Sequence, residues 1–154
     1  MLRDSHGAVA QLNFTDMRNT YSKQLGDDLM AAYADVLRNY DCHTQAEAYE
    51  RTVQHAAPRF YVSAEKARVY ICALVRGDRS VVDALSPLRR EMYLALFDVV
   101  LRLSQKRQYH RRSVYYITGF AVNEPAPRFY VGAETMRKVH RSRRRKKSLP
   151  LTPP

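Results

Sequence analysis

The chain has 154 residues, 45% of them apolar, with 26 Lys+Arg against 15 Asp+Glu and a formal net charge of +11. A chain of this size buries enough surface to fold as one domain without disulfides or metal. Five glycines, seven prolines and two cysteines, Cys42 and Cys72, exclude a collagen-like chain, a disulfide scaffold and a four-cysteine zinc site.

In chain order, residues 1–15 read as a flexible N-terminus. Met1–His6 has no basic segment leading into an apolar stretch, so no signal peptide is expected, and no apolar run approaches membrane-span length. A cytoplasmic location is the corresponding expectation. A first helix is predicted over roughly 16–40, with Gly26 as a candidate interruption and Asp27 and Asp28 suited to a helix start. Thr44 opens a second helical segment, and 64–76 forms a third, with Ala67, Ile71 and Leu74 on one face and Gly77-Asp78 as its stop. Ser86-Pro87 is an N-cap followed by Pro at the first helical position, where its missing N–H costs nothing. The helix it opens, about 87–106, carries Leu88, Met92, Leu96, Val99 and Leu103 at helical spacing. Ser113–Val122 has strand propensity, yet the register described next makes it a helix; a β-ribbon is the competing expectation. Met136 and Val139 mark a last helix that gives way to a basic, Pro-ended tail over 141–154, expected to be disordered.

An internal repeat organises these elements. Residues 57–68 and 126–137 share nine of twelve residues at a constant offset of 69, including Ala-Pro-Arg-Phe-Tyr-Val in both copies. The same offset aligns Thr44 with Ser113; upstream it becomes 64, and Met30–Arg38 faces Leu94–Arg102. The expected fold is therefore all-α, a duplicated three-helix, helix-turn-helix-like unit with an extended strip in each copy. The first repeat spans 16–79, and the second spans 80–140 and packs on the first. Pro58 and Pro127 forbid a continuing helix. Side-chain alternation in an extended strip sends Phe60, Val62, Phe129 and Val131 inward, leaving Arg59, Tyr61, Arg128 and Tyr130 outward.

Charge is the main functional signal. Residues 1–98 carry 12 basic and 13 acidic side chains, whereas 99–154 carry 14 basic and 2 acidic. Such asymmetry favours a polyanionic partner. The competing readings are a solvated tail that only aids solubility and an anionic membrane surface. The second is disfavoured because 137–147 lacks a bulky apolar face. The expected nucleic-acid contacts are Arg59, Tyr61, Lys66, Arg68, Arg128 and Tyr130 near the turns. To these the basic run adds Arg137, Lys138, Arg141, Arg143, Arg144, Arg145, Lys146 and Lys147.

No Gly-rich phosphate loop, HExxH or Gly-x-Ser-x-Gly is present, and the histidines, His140 among them, sit in polar stretches as expected of surface residues. No enzyme, metal, cofactor, membrane or small-molecule substrate is expected. Duplex DNA held by its phosphates is the leading reading. A structural or adaptor protein, with a protein partner or a second copy on the Arg-Tyr strips, is the alternative. RNA is a third reading, since Tyr109, Tyr115 and Tyr116 are suited to stacking on unpaired bases.

The segment Pro58-Arg-Phe-Tyr-Val-Ser-Ala-Glu-Lys-Ala67 resembles one found in short proteins of gut Bacteroides-type bacteria and their mobile elements. The resemblance covers about a tenth of the chain per copy and implies a phage- or mobile-element-linked DNA-binding protein, such as a small terminase subunit. It carries over no functional residue.

Overall fold

The computed structural model describes residues 2–148, and their side chains from Tyr21 to Lys146. These residues are all-α. Helix α1 (Leu2–Asn39) is followed by α2 (Gln45–Val53), α3 (Ala64–Val75), a single turn α4 (Ser80–Asp83) and α5 (Pro87–Ser104). A short 3₁₀ turn at Arg107–Tyr109 leads to α6 (Val114–Ala121) and α7 (Ala133–Ser148).

Local chemistry sets the helix starts. Thr44, Ser63 and Ser113 each accept a hydrogen bond from the backbone N–H three residues on, at 3.1 Å in every case, satisfying an amide that the first helical turn leaves orphaned. Ser113–Val122 is accordingly helical over Val114–Ala121 and not a β-ribbon, because the cap and the burial of Ile117, Thr118 and Ala121 on one face outweigh its strand propensity. Two sequence expectations for the ends are corrected. The first helix begins at Leu2, not near residue 16, and runs through Gly26 without interruption. A lone glycine costs a helix only about 1 kcal/mol, and no proline stands in this stretch. The basic run continues α7 to Ser148, so 141–148 is helix and not tail; arginine and lysine are good helix formers. Residues 149–154 lie outside the described residues.

The core follows the internal register. Leu29, Ala32 and Val36 on α1 are buried, and so are Tyr93, Leu96 and Val100 on α5, the same three positions at the offset of 64. Ala67 on α3 and Met136 on α7, related by 69, are both fully enclosed.

The two strips meet at the centre. Ala57 and Ala126 form an isolated antiparallel bridge, Ala57 N–H donating to Ala126 O at 3.0 Å and Ala126 N–H to Ala57 O at 2.9 Å. Phe60 N–H donates to Val122 O at 3.0 Å, and Phe129 N–H to Val53 O at 3.1 Å, again a pair related by 69. Phe60 stacks on Tyr130 at 6.2 Å and Tyr61 on Phe129 at 6.0 Å, so each ring of one strip faces its partner in the other.

This crossing reroutes the helices. α2 packs against α1 and α7, whereas α3 packs against α5 and α6. The third helix of each half is thus handed to the other half. The helix-turn-helix-like reading, in which α2 and α3 fold back on each other across the strip, is corrected. A six-residue non-helical strip with a proline at its second position carries the chain away from α2 and across the molecule. The halves interlock through these exchanged helices and do not sit side by side as two separate bundles.

Candidate nucleic-acid interface

α7 opens with an internal ion pair. The Arg137 guanidinium donates to both carboxylate oxygens of Glu134, at 2.9 and 2.5 Å. Met136 and Val139 anchor the helix to the core. Beyond them the register changes character, since His140 stands where α3 has the buried Ile71, and Arg143 where it has Leu74. α7 therefore leaves the core counterpart behind and becomes cationic on its flanks.

Two concavities border it. One, of about 500 Å³, lies between α7 and α2 and is lined by Arg137, His140, Arg141, Arg144 and Arg145 with Gln45 and Tyr49. The other, of about 470 Å³, lies between α7 and α1, where Lys138, Arg143 and Lys146 face Lys23. Among the described residues no carboxylate lines either concavity. Lys138, Arg141, Arg144 and Lys146 are exposed, and none has an internal ion pair or hydrogen bond among the described residues. Arg143 is held differently: Nη1 donates to Asp27 Oδ1 at 2.6 Å, and its guanidinium lies against Gly26, where a Cβ would sit 2.6 Å from Nη2. The glycine expected to interrupt α1 instead lies beneath this guanidinium. Lys147 has no described side chain.

At the back of the first concavity, His140 Nδ1 and the Tyr49 hydroxyl share a hydrogen bond at 2.6 Å, and the Tyr33 ring packs on the imidazole at 4.7 Å. His140 is therefore partly enclosed, not the surface residue the sequence implied. Burial, and secondarily the Arg144 charge, hold its pKa below the ordinary histidine value, so it is neutral at pH 7. Burial likewise pushes the Tyr49 hydroxyl up. Sequence reasoning missed Tyr49 altogether. The signal for His140 was there: a polar residue in the register of a core isoleucine.

The strip residues serve a different purpose. The Nε of Arg59 donates to Phe60 O, and that of Arg128 to Phe129 O, both at 3.0 Å. The Arg59 guanidinium lies over the Tyr21 ring at 4.7 Å, and Arg128 borders Tyr130 at 5.9 Å. Tyr61 donates its hydroxyl to Asp28 and is half-buried, as is Tyr130. Arg59, Tyr61, Arg128 and Tyr130 enclose a small cavity of about 90 Å³ with Leu25 and Met92 at the crossing of the strips. The expectation that these four point outward to phosphates is thus replaced by internal stacking. Phe60, Val62 and Phe129 are buried as the alternation implied, and Val131 is half-buried. Lys66 is exposed on α3, while Arg68 donates from Nε to Tyr115 O at 2.9 Å and lies over the Tyr115 ring at 4.0 Å. Of the expected contacts, the structure brings together those on α7 and sets the strip residues apart from them.

Among the described residues no three His, Cys, Asp or Glu side chains gather as a metal site, both cysteines are free, and no helix is long and apolar enough to cross a membrane. Comparison with protein-family models, curated proteins and solved structures finds no match, so the geometry of this all-α chain and its cationic helix carries the functional argument.

Proposed function

We propose that the protein is a non-enzymatic nucleic-acid-binding protein that holds duplex DNA by its phosphates through α7. One observation carries the reading: among the described residues, Lys138, Arg141, Arg144 and Lys146 are exposed on one helix without internal partners, beside two concavities lined by no described acid. Cations left unneutralised within the fold create a field that a polyanion neutralises, with release of its condensed counterions. The 16 residues of α7 span about 24 Å, enough to follow several phosphates. Such contacts position a protein without reading sequence, so non-specific affinity of about 10⁻⁴–10⁻⁶ M is expected at physiological salt. The half-burial of Arg59, Tyr61, Arg128 and Tyr130, with each tyrosine stacked on the other strip's phenylalanine, weighs against the adaptor alternative.

The test is the double substitution Arg141→Ser/Arg144→Ser, assayed by fluorescence anisotropy on a labelled duplex. Both side chains are exposed, so the fold is expected to persist, and binding is expected to weaken about tenfold or more at low salt. Unchanged affinity in a folded variant overturns the proposal.

A further inference from the structure

The surface of α6 differs from that of its counterpart in a way the fold does not require. At the offset of 69, Tyr115, Tyr116 and Phe120 on α6 stand where α2 carries Ala46, Glu47 and Arg51. Both helices start from the same hydroxyl cap. On α2 the positions of Tyr116 and Phe120 are filled by an ion pair, Arg51 Nε to Glu47 Oε1 at 3.4 Å, the usual covering of a solvated helix face. On α6 they are filled by two rings 5.1 Å apart, and Tyr109 packs on Phe120 at 5.8 Å. Tyr115 is 58% exposed, Tyr116 40% and Phe120 45%. Three large rings open to solvent on one short helix are costly to leave bare, and α2 shows that the architecture tolerates polar residues there.

The surroundings of these rings are cationic. The Arg68 guanidinium lies over Tyr115 at 4.0 Å and that of Arg112 over Tyr116 at 5.0 Å. Residues 99–123 contain Arg102, Lys106, Arg107, Arg111 and Arg112 and no acid. Rings interleaved with guanidiniums match a flexible polyanion whose monomers carry flat apolar faces.

We infer that Tyr115, Tyr116 and Phe120 form a second nucleic-acid site, one that stacks the unpaired bases of a single strand while Arg68, Arg112 and their basic neighbours hold its backbone. It goes beyond the phosphate contacts proposed for α7 and rests on that reading only for the class of ligand. The α3–α6 pair stands in one half where α7–α2 stands in the other, so the two sites occupy related places in the interlocked fold.

The experiment compares the wild-type chain with Tyr115→Ala/Tyr116→Glu/Phe120→Arg, which places the α2 residues on α6 and leaves the net charge unchanged. The probes are labelled oligodeoxythymidylate, oligouridylate and an abasic deoxyribose-phosphate strand of the same length, read by anisotropy, with a duplex as a fourth arm. The wild type is expected to bind the base-bearing strands about tenfold or more tightly than the abasic strand, and the variant to bind all single strands alike. A preference for uridylate or for thymidylate identifies RNA or single-stranded DNA as the source. Wild-type binding without preference for bases, or a variant that retains the preference, overturns the inference and leaves the α7 reading standing. No binding to any probe, duplex included, overturns both. A wild-type dimer that the variant abolishes, with no base preference in the wild type, assigns the rings to a protein contact instead and also overturns it. Should the triple variant fail to fold, tyrosine fluorescence of the wild type decides: quenching by oligothymidylate and not by the abasic strand supports the site, and equal response to both refutes it.

Discussion

Gly26 shows how a single missing side chain positions a charge. Its α-hydrogen lies under the Arg143 guanidinium, and an added Cβ would meet only the far end of that flexible arginine. Gly26→Ala gains helix propensity of about 1 kcal/mol and loses an ion pair with Asp27 that is exposed and worth less than that. The variant is expected to be as stable as the wild type or up to about 1 kcal/mol more stable in thermal denaturation. The strip tyrosines make a sharper contrast. Tyr61 donates to the half-buried Asp28, whereas the Tyr130 hydroxyl has no partner among the described residues. Tyr61→Phe should therefore cost about 1–2 kcal/mol in chemical denaturation and Tyr130→Phe less than about 0.5. Burial, before any other cause, raises the pKa of Tyr49, Tyr61, Tyr93 and Tyr130. In each case the folded state holds the phenolic proton more tightly than the unfolded chain does. Their contribution is complete below pH of about 10, the unfolded tyrosine value, and is lost as pH rises above it. A denaturation series should show stability falling in that alkaline range, less steeply in Tyr61→Phe.

Among the elements, α3 and α7 are counterparts that begin differently. Ser63 caps α3 with its hydroxyl, and Gly132 stands at the same place before α7, its carbonyl accepting from Thr135 and Met136 N–H. A Cβ at Gly132 meets nothing within 4 Å, and its backbone is not left-handed. Copying the first half with Gly132→Ser adds a capping hydroxyl and lowers the freedom of the unfolded chain, so stability should rise by about 0.5–1 kcal/mol, seen as a higher Tm. The helices and their caps were legible from the sequence because hydroxyl caps and apolar spacing are local signals. Ser113–Val122 was readable as helix only through the register with Thr44–Val53, since its own β-branched and aromatic residues favour a strand. The extent of α7 was not legible: a run of arginine and lysine has no apolar period with which to announce a helix, and α7 is tied down instead by Met136, Val139 and the contact of Arg143 with α1.

For the whole molecule, the decisive feature is the crossing of the strips, which gives α3 to the second half and α7 to the first. The repeat implied two similar units but held no information on which unit each third helix joins, because that depends on the direction of the chain after Pro58 and Pro127. The same crossing occupies the strip side chains: Phe60 and Phe129 are buried and stack on Tyr130 and Tyr61, while Arg59, Tyr61, Arg128, Tyr130 and Val131 are all half-buried. The cationic character of α7 was legible throughout from charge alone, whereas the concavities beside it required α1 and α2 to be placed. Interlocking also means that α7 cannot be removed without harm. Deleting 133–154 strips the fully buried Met136 from the core, and the truncated chain should lose its cooperative thermal transition. Point substitution of charge is therefore the proper probe of α7. The most direct measurement is the salt dependence of duplex DNA affinity. A plot of log K against log salt should fall with a slope of about −4 or steeper, and Arg141→Ser/Arg144→Ser should make it shallower by about 2. A flat plot, or a slope that those two substitutions leave unchanged, would contradict the account.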